Sequence, residues 1–153
     1  MKKILMTSFV FGLVAIMSCG ESKPKELTLA ELNAQEEKES ASLAVNNIGI
    51  GPVKSIELTE AVNSEMAKNG EVIFSDKCVA CHRMESKLIG PALEGITERR
   101  NPAWIMNMIL NPEQMIKEDP IAMELMEEYK TPMLNQNLTE DESRAILEYF
   151  RAI

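Results

Sequence analysis

An all-α domain over residues 59–153 is predicted by three observations. Apolar residues recur there at helical spacing, and cap residues stand where each apolar stripe begins. No strand–helix–strand pattern or phosphate-binding loop interrupts them. The first stripe also runs straight into Cys78-Val79-Ala80-Cys81-His82, which marks where the helices have something to surround.

The elements follow in order. Val62, Met66, Gly70 and Phe74 recur every four residues, with Ile73 beside them, and predict a first helix. Gly70 on that stripe indicates the close approach of another helix. Asn101-Pro102 supplies a cap and an N1 proline, and Trp104, Ile105, Met108 and Ile109 mark the buried face that follows. Asn111-Pro112 opens a further helix in the same way, interrupted near Asp119-Pro120 and resuming through Tyr129. Residues 131–138 lack periodicity and read as a loop. Thr139-Glu140-Asp141-Glu142 is a capping box, opening a last helix with Ile146, Tyr149, Phe150 and Ile153 on one face. The first and last helices can therefore cross on their apolar stripes.

Two cysteines three apart, with a histidine directly after the second, form the attachment pattern for c-type haem. Two thiols add across the vinyl groups of one porphyrin, and the adjacent imidazole reaches the iron. A thioredoxin-like thiol pair would need a βαβ setting, and a closed zinc site needs four ligands. His82 is the only histidine and Cys19 the only other cysteine, so neither rival is well supplied. With 45% hydrophobic but only 5% aromatic residues and 11 methionines, the core is aliphatic and Met-rich. A covalently held haem adds the flat apolar surface that so few aromatics lack.

The N-terminus reads as an export signal over residues 1–18: Lys2 and Lys3, then an uncharged run from Ile4 to Met17. That run is shorter than the ~20 residues a spanning helix needs. It ends Ile16-Met17-Ser18-Cys19-Gly20, which resembles a lipobox and makes Cys19 the expected lipidation site. Residues 19–58 are mixed in charge and poor in aromatics. They are expected to form a flexible tether, with a transient helix over Leu27–Lys38 and a less polar stretch, Ile48–Ile56, at the domain edge. The expected location is the periplasmic side of the envelope, lipid-anchored to a membrane.

A net charge of −8 argues against nucleic acid as a partner. It fits docking to a basic patch on another redox protein, and equally a plain solvated surface.

With one histidine, bis-histidine ligation within the chain is excluded. A methionine thioether or an open position remains, with lysine or asparagine as rarer choices. Met84 is too close to the attachment turn. Met106, Met108, Met115, Met123 and Met126 fall in helical stretches, where packing explains them. Met133 lies in a loop directly after Pro132, which restricts the backbone beside it, and is the expected ligand.

Residues from about Val62 to Ala152 resemble class I monohaem cytochromes c. The matching pieces are the first helix with Gly70 and Phe74, the Cys78–His82 motif, Ile89-Gly90-Pro91-Ala92-Leu93, Pro132-Met133 and the last helix with Tyr149. The resemblance implies three to five helices wrapped around one covalent haem c, with iron held by His82 and Met133. It implies that the Pro91 carbonyl receives the other ring nitrogen of His82. It also implies that Trp104 approaches a haem propionate or packs the haem edge, and that Arg99 and Arg100 neutralise propionates. Core packing of Trp104 and a surface arginine pair are the plain alternatives.

The implied activity is single-electron shuttling by a monomer that performs no bond chemistry. Its donor is a membrane respiratory complex, and its acceptor a periplasmic or membrane-bound protein such as a terminal oxidase. The nearest likeness is to small lipoprotein cytochromes c of Bacteroidota-type bacteria, some associated with nitrous-oxide reductase. The rival reading is a gas sensor or small haem enzyme with an open iron position.

Overall fold

The computed structural model describes residues 28–153, and among these it is all-helical with no strand. Seven helices follow one another: α1 (Leu29–Asn46), α2 (Ser64–Lys77), α3 (Ile96–Arg99), α4 (Pro102–Leu110), α5 (Pro112–Glu118), α6 (Pro120–Tyr129) and α7 (Glu140–Ala152). None is long and apolar enough to cross a membrane. Leaving aside the single turn α3, five helices of the C-terminal domain gather around one cavity, as expected.

The frame is the crossing of α2 and α7. Asn63 caps α2 by accepting from the Met66 N–H, and Thr139 and Glu142 form the full capping box of α7. Gly70 faces the Ala145 carbonyl so closely that any Cβ there would overlap it. Phe74 packs against Tyr149 and Phe150 with ring centroids 5.5 and 5.7 Å apart, geometry that stabilises by about 0.5–1.5 kcal/mol per pair beyond area burial. Ile153, placed on the same stripe by the sequence, is exposed because the helix has ended.

One feature of this crossing is not visible in the sequence. Glu148 lies on the polar side of the α7 pattern yet is only 1% exposed. It accepts from the Asn63 N–H at 3.0 Å and pairs with Arg144 and Arg151 at 2.5 Å each. Burial pushes its carboxyl up, but the hydrogen bonds from Arg144, the Asn63 N–H and Arg151 outweigh this and hold it below the ordinary range.

Between these helices, Pro102, Pro112 and Pro120 each begin a short helix. A first-turn proline loses no hydrogen bond, and it keeps the residue before it out of the helix. Asn101 and Asp119 accept from the backbone as caps. Asn111 departs from that expectation: its side chain caps nothing and donates instead to the Ile50 carbonyl and Gln114.

The segment expected to be a tether is ordered over its described part. Thr28 and Glu31 form a capping box that starts α1, and helix-favouring residues carry it well past Lys38 to Asn46. Beyond it, residues 47–58 lie along α4 and α5 as a strap. Fully buried Asn107 donates to the Ile48 and Val53 carbonyls and accepts from the Val53 N–H. Val53 is buried in the core, with Ile50, Ile56 and Leu58 partly buried against it. The less polar stretch Ile48–Ile56 thus lies against the domain, where one buried amide satisfies three strap backbone groups. The signal segment and Cys19 lie outside the described residues.

Candidate haem site

The Cys-x-x-Cys-His turn is shaped by the end of α2. Cys78 is the C-cap of α2, and its carbonyl accepts from the N–H groups of both Cys81 and His82 at 3.0 Å. That one turn brings two sulfurs and an imidazole to the same side of the backbone. Neither cysteine is in a disulfide. Burial, and then the neighbouring Cys81, push the Cys78 thiol up to about 11. A reactive dithiol needs the opposite shift, which weighs against the redox-pair reading. No group of three or more potential ligands of the kind zinc requires occurs among the described residues.

The loop after the motif folds back on it. The Gly90 N–H donates to the Cys81 carbonyl at 2.8 Å, and the Leu93 N–H reaches the Arg83 and Met84 carbonyls at 3.1 Å. This presses the Pro91 carbonyl to 3.1 Å from His82 Nδ1. With Nδ1 protonated, the ring donates to that carbonyl and keeps the Nε2 lone pair free. A Cβ at position 90 would stand 2.5 Å from His82 Cε1, so glycine is what allows the imidazole to lie there.

All these groups meet in a cavity of about 530 Å³. Cys78, Cys81, His82, Pro91, Arg99, Trp104 and Met133 all line it, so every described cofactor residue expected from sequence is at one place. Apolar side chains complete the wall, among them Phe74, Ile96, Leu125, Ile146 and Phe150. Met133 enters from the loop between α6 and α7, which is bracketed by Lys130 and Asn137, both at φ 55°. Met108 and Met126, set aside in the sequence as helix packing, line the same cavity.

Two expected roles change in detail. The Trp104 N–H donates to Asp119 at 3.0 Å, so it has no proton to offer a propionate, and its ring is what faces the cavity. Arg99 spends two of its nitrogens on the Glu94 and Ala92 carbonyls, stapling the loop that carries Pro91. Buried Asp119, read in the sequence only as a break, accepts from Trp104, from the Ala122 N–H at 2.9 Å and from Asn47 at 2.6 Å. An Asp before a proline signals a helix cap, but nothing in its spacing reveals the two distant donors.

Two thiols and an imidazole on one turn, an apolar cavity beside them and a thioether from a separate loop fit a covalently held haem. Comparison with known proteins agrees. Residues 67–153 match the cytochrome c family. A cytochrome c from Rhodothermus marinus is 43% identical, with 73% of this chain and 95% of that one aligned at a TM-score of 0.67. An engineered form of the R. marinus protein aligns at 43% identity over 74% and 96% of the two chains, with a TM-score of 0.66. Another, bound to a carbene intermediate, aligns at 44% identity over 74% and 96%, with a TM-score of 0.64. Among curated proteins, none matches. The motif at Cys78 and Cys81 therefore carries one covalently bound haem c, and the chain belongs to the cytochrome c family.

Proposed function

We propose that this haem-based electron carrier holds its iron between His82 and Met133 and shuttles single electrons without chemistry of its own. The observation that carries the reading is the one cavity lined by Cys78, Cys81, His82 and Met133. When bound, haem iron supplies the one-electron couple. Pro91 holds the His82 ring in the orientation that exposes Nε2, and the Met133 thioether favours the ferrous state. With His82 and Met133 both holding the iron, no position would be left on it for a substrate. Met108 and Met126 stand on α4 and α6, whereas Met133 stands on the loop bracketed by the left-handed residues Lys130 and Asn137.

Optical spectra of the ferric and ferrous protein test this, beside Met133→Ala. A far-red sulfur-to-iron band present in the wild type and lost in the variant is the expected result. A band that survives the substitution moves the ligand to Met126 or Met108. The competing reading, an iron position open to small ligands, draws on the engineered relative that holds a carbene intermediate. Ready carbon monoxide binding by a high-spin wild-type protein would establish it.

The proposed setting is the periplasmic side of the envelope, with the monomer held to a membrane through acylated Cys19. The sequence pattern around Cys19 supports it, and the net charge of −8 suits partners with basic docking patches. Electrons would come from a quinol-oxidising complex and pass to a terminal oxidase or periplasmic reductase, nitrous-oxide reductase included. Cys19→Ala should move the protein from the membrane to the soluble fraction. An unchanged distribution overturns the anchor.

A further inference from the structure

Two loops meet at the haem cavity, and one side chain joins them. Ile89, Gly90 and Pro91 line the cavity from the loop that follows His82, and Thr131, Pro132 and Met133 line it from the loop that follows α6. Lys87, in the first loop, places its ammonium 4.0 Å from the centroid of the Tyr129 ring and 3.8 Å from a carboxylate oxygen of Glu128. Both partners end α6, just before the second loop, and Tyr129 itself lines the cavity. Among the described residues, no other hydrogen bond, ion pair or ring contact links residues 82–95 to residues 126–138.

The two loops are held very differently. The first is bonded back onto the Cys-x-x-Cys-His turn and the residues after it, through the N–H groups of Gly90, Leu93 and Glu94. In the second, no backbone group of residues 131–138 bonds to another element among the described residues. Asn135 reaches the Leu110 carbonyl at 3.4 Å, and the bonds of Gln136 to Leu134 and of Asn137 to Asn135 stay within the loop. Met133 and Leu138 pack against the core, but a segment with so few hydrogen bonds opens more readily than the helices it joins. Lys87 therefore reaches from the firmly held loop to the yielding one.

We propose that Lys87 is a positioning residue for Met133: held by the Tyr129 ring and the Glu128 carboxylate, it latches the methionine loop over the cavity and keeps the thioether at the iron. This rests on the reading of Met133 as the second ligand. An open loop would leave the iron to an added ligand, so the apparent affinity for that ligand scales with the open fraction. Lys87 and Glu128 are both more than half exposed, so their ion pair adds little, and a cation over a ring at such a site adds a comparable amount. Together they set the open fraction by about 3–10-fold.

The test is an imidazole titration of the haem-loaded ferric protein at pH 7 and low salt. The proteins are wild type, Lys87→Met, Lys87→Arg, Tyr129→Leu and the double variant Lys87→Met with Tyr129→Leu. Loss of the far-red band reads displacement of the thioether, and a melting temperature accompanies each titration. Lys87→Met keeps the length of the side chain and loses its charge, and should bind imidazole about 3–10-fold more tightly. Lys87→Arg, whose cation also stacks on a ring, should return the affinity most of the way to wild type. The double variant should bind within about twofold of Tyr129→Leu alone, since the two side chains act through one contact.

An unchanged affinity for Lys87→Met overturns the proposal, whatever its melting temperature does, because Lys87 would then be structural only. So do effects of the two substitutions that multiply in the double variant, which would mean that the side chains act separately. A wild type without the far-red band removes the Met133 reading and the latch with it. A wild-type band beside an unchanged Lys87→Met affinity sinks the latch alone.

Discussion

Gly90 leaves the space that the His82 ring fills: a Cβ there would stand 2.5 Å from the imidazole Cε1, and the next residue's carbonyl sits 3.1 Å from Nδ1. The ligand's orientation is therefore set by two backbone features, neither requiring a polar side chain. Gly90→Ala should push the ring off the Pro91 carbonyl, costing about 1–3 kcal/mol of stability and changing the haem spectrum. Pro91→Ala keeps the carbonyl and should disturb the spectrum far less. Denaturation curves and spectra of the two variants, side by side, check the contrast.

At Gly70, α2 leaves no room for a Cβ against the backbone of Ala145 and Ile146 in α7. Gly70→Ala must separate the helices or tilt them, because the atom it meets is backbone and cannot rotate away. We expect a loss of about 3 kcal/mol or more in urea unfolding, despite alanine's better helix propensity. The unfolding midpoint should drop while the haem-attachment yield of the folded fraction stays the same.

Glu148 gives the domain a pH-dependent component of stability. Its carboxyl titrates below 4.5, the unfolded value, so its contribution is complete above that pH and lost as acid protonates the folded form. Glu148→Gln strands Arg144 and Arg151, and should cost about 2–3 kcal/mol at pH 7, since both arginines keep some water. The variant's stability should also fall less steeply than the wild type's below pH 4.5. Urea midpoints measured from pH 3 to 7 give both readings.

Asn107 is the buried clasp of the strap. Asn107→Ala leaves one N–H and two carbonyls of the strap without their partner, at an expected cost of about 2–4 kcal/mol. Amide exchange should rise at Val53 before it rises in α7. Equal protection at Val53 in both proteins would show that the strap holds without the clasp.

Much of the site is legible in the order of the amino acids. The Cys78–His82 spacing, the prolines at helix starts and the Thr139 capping box each act within a few residues, and local chemistry decides them. Gly70 signals a close helix approach for a related reason: an apolar stripe tolerates glycine where a neighbour's backbone takes the space. Met133 stands out because no helical period explains it.

The helices, the haem turn and the loop that brings a methionine are thus written locally in the chain. The remainder arises only on folding, where partners lie far apart in sequence. Asn47 reaches Asp119 across 72 residues, and Asn63 reaches Glu148 across 85. Such polar groups look like solvated surface in one dimension, since each is buried only when its distant donor arrives. The same distance hides the strap: residues 47–58 carry Gly49, Gly51 and Pro52 and no helical period, and they become structure because α4, α5 and the Asn111 cap between them supply Asn107, Asn111 and Met115 to receive them.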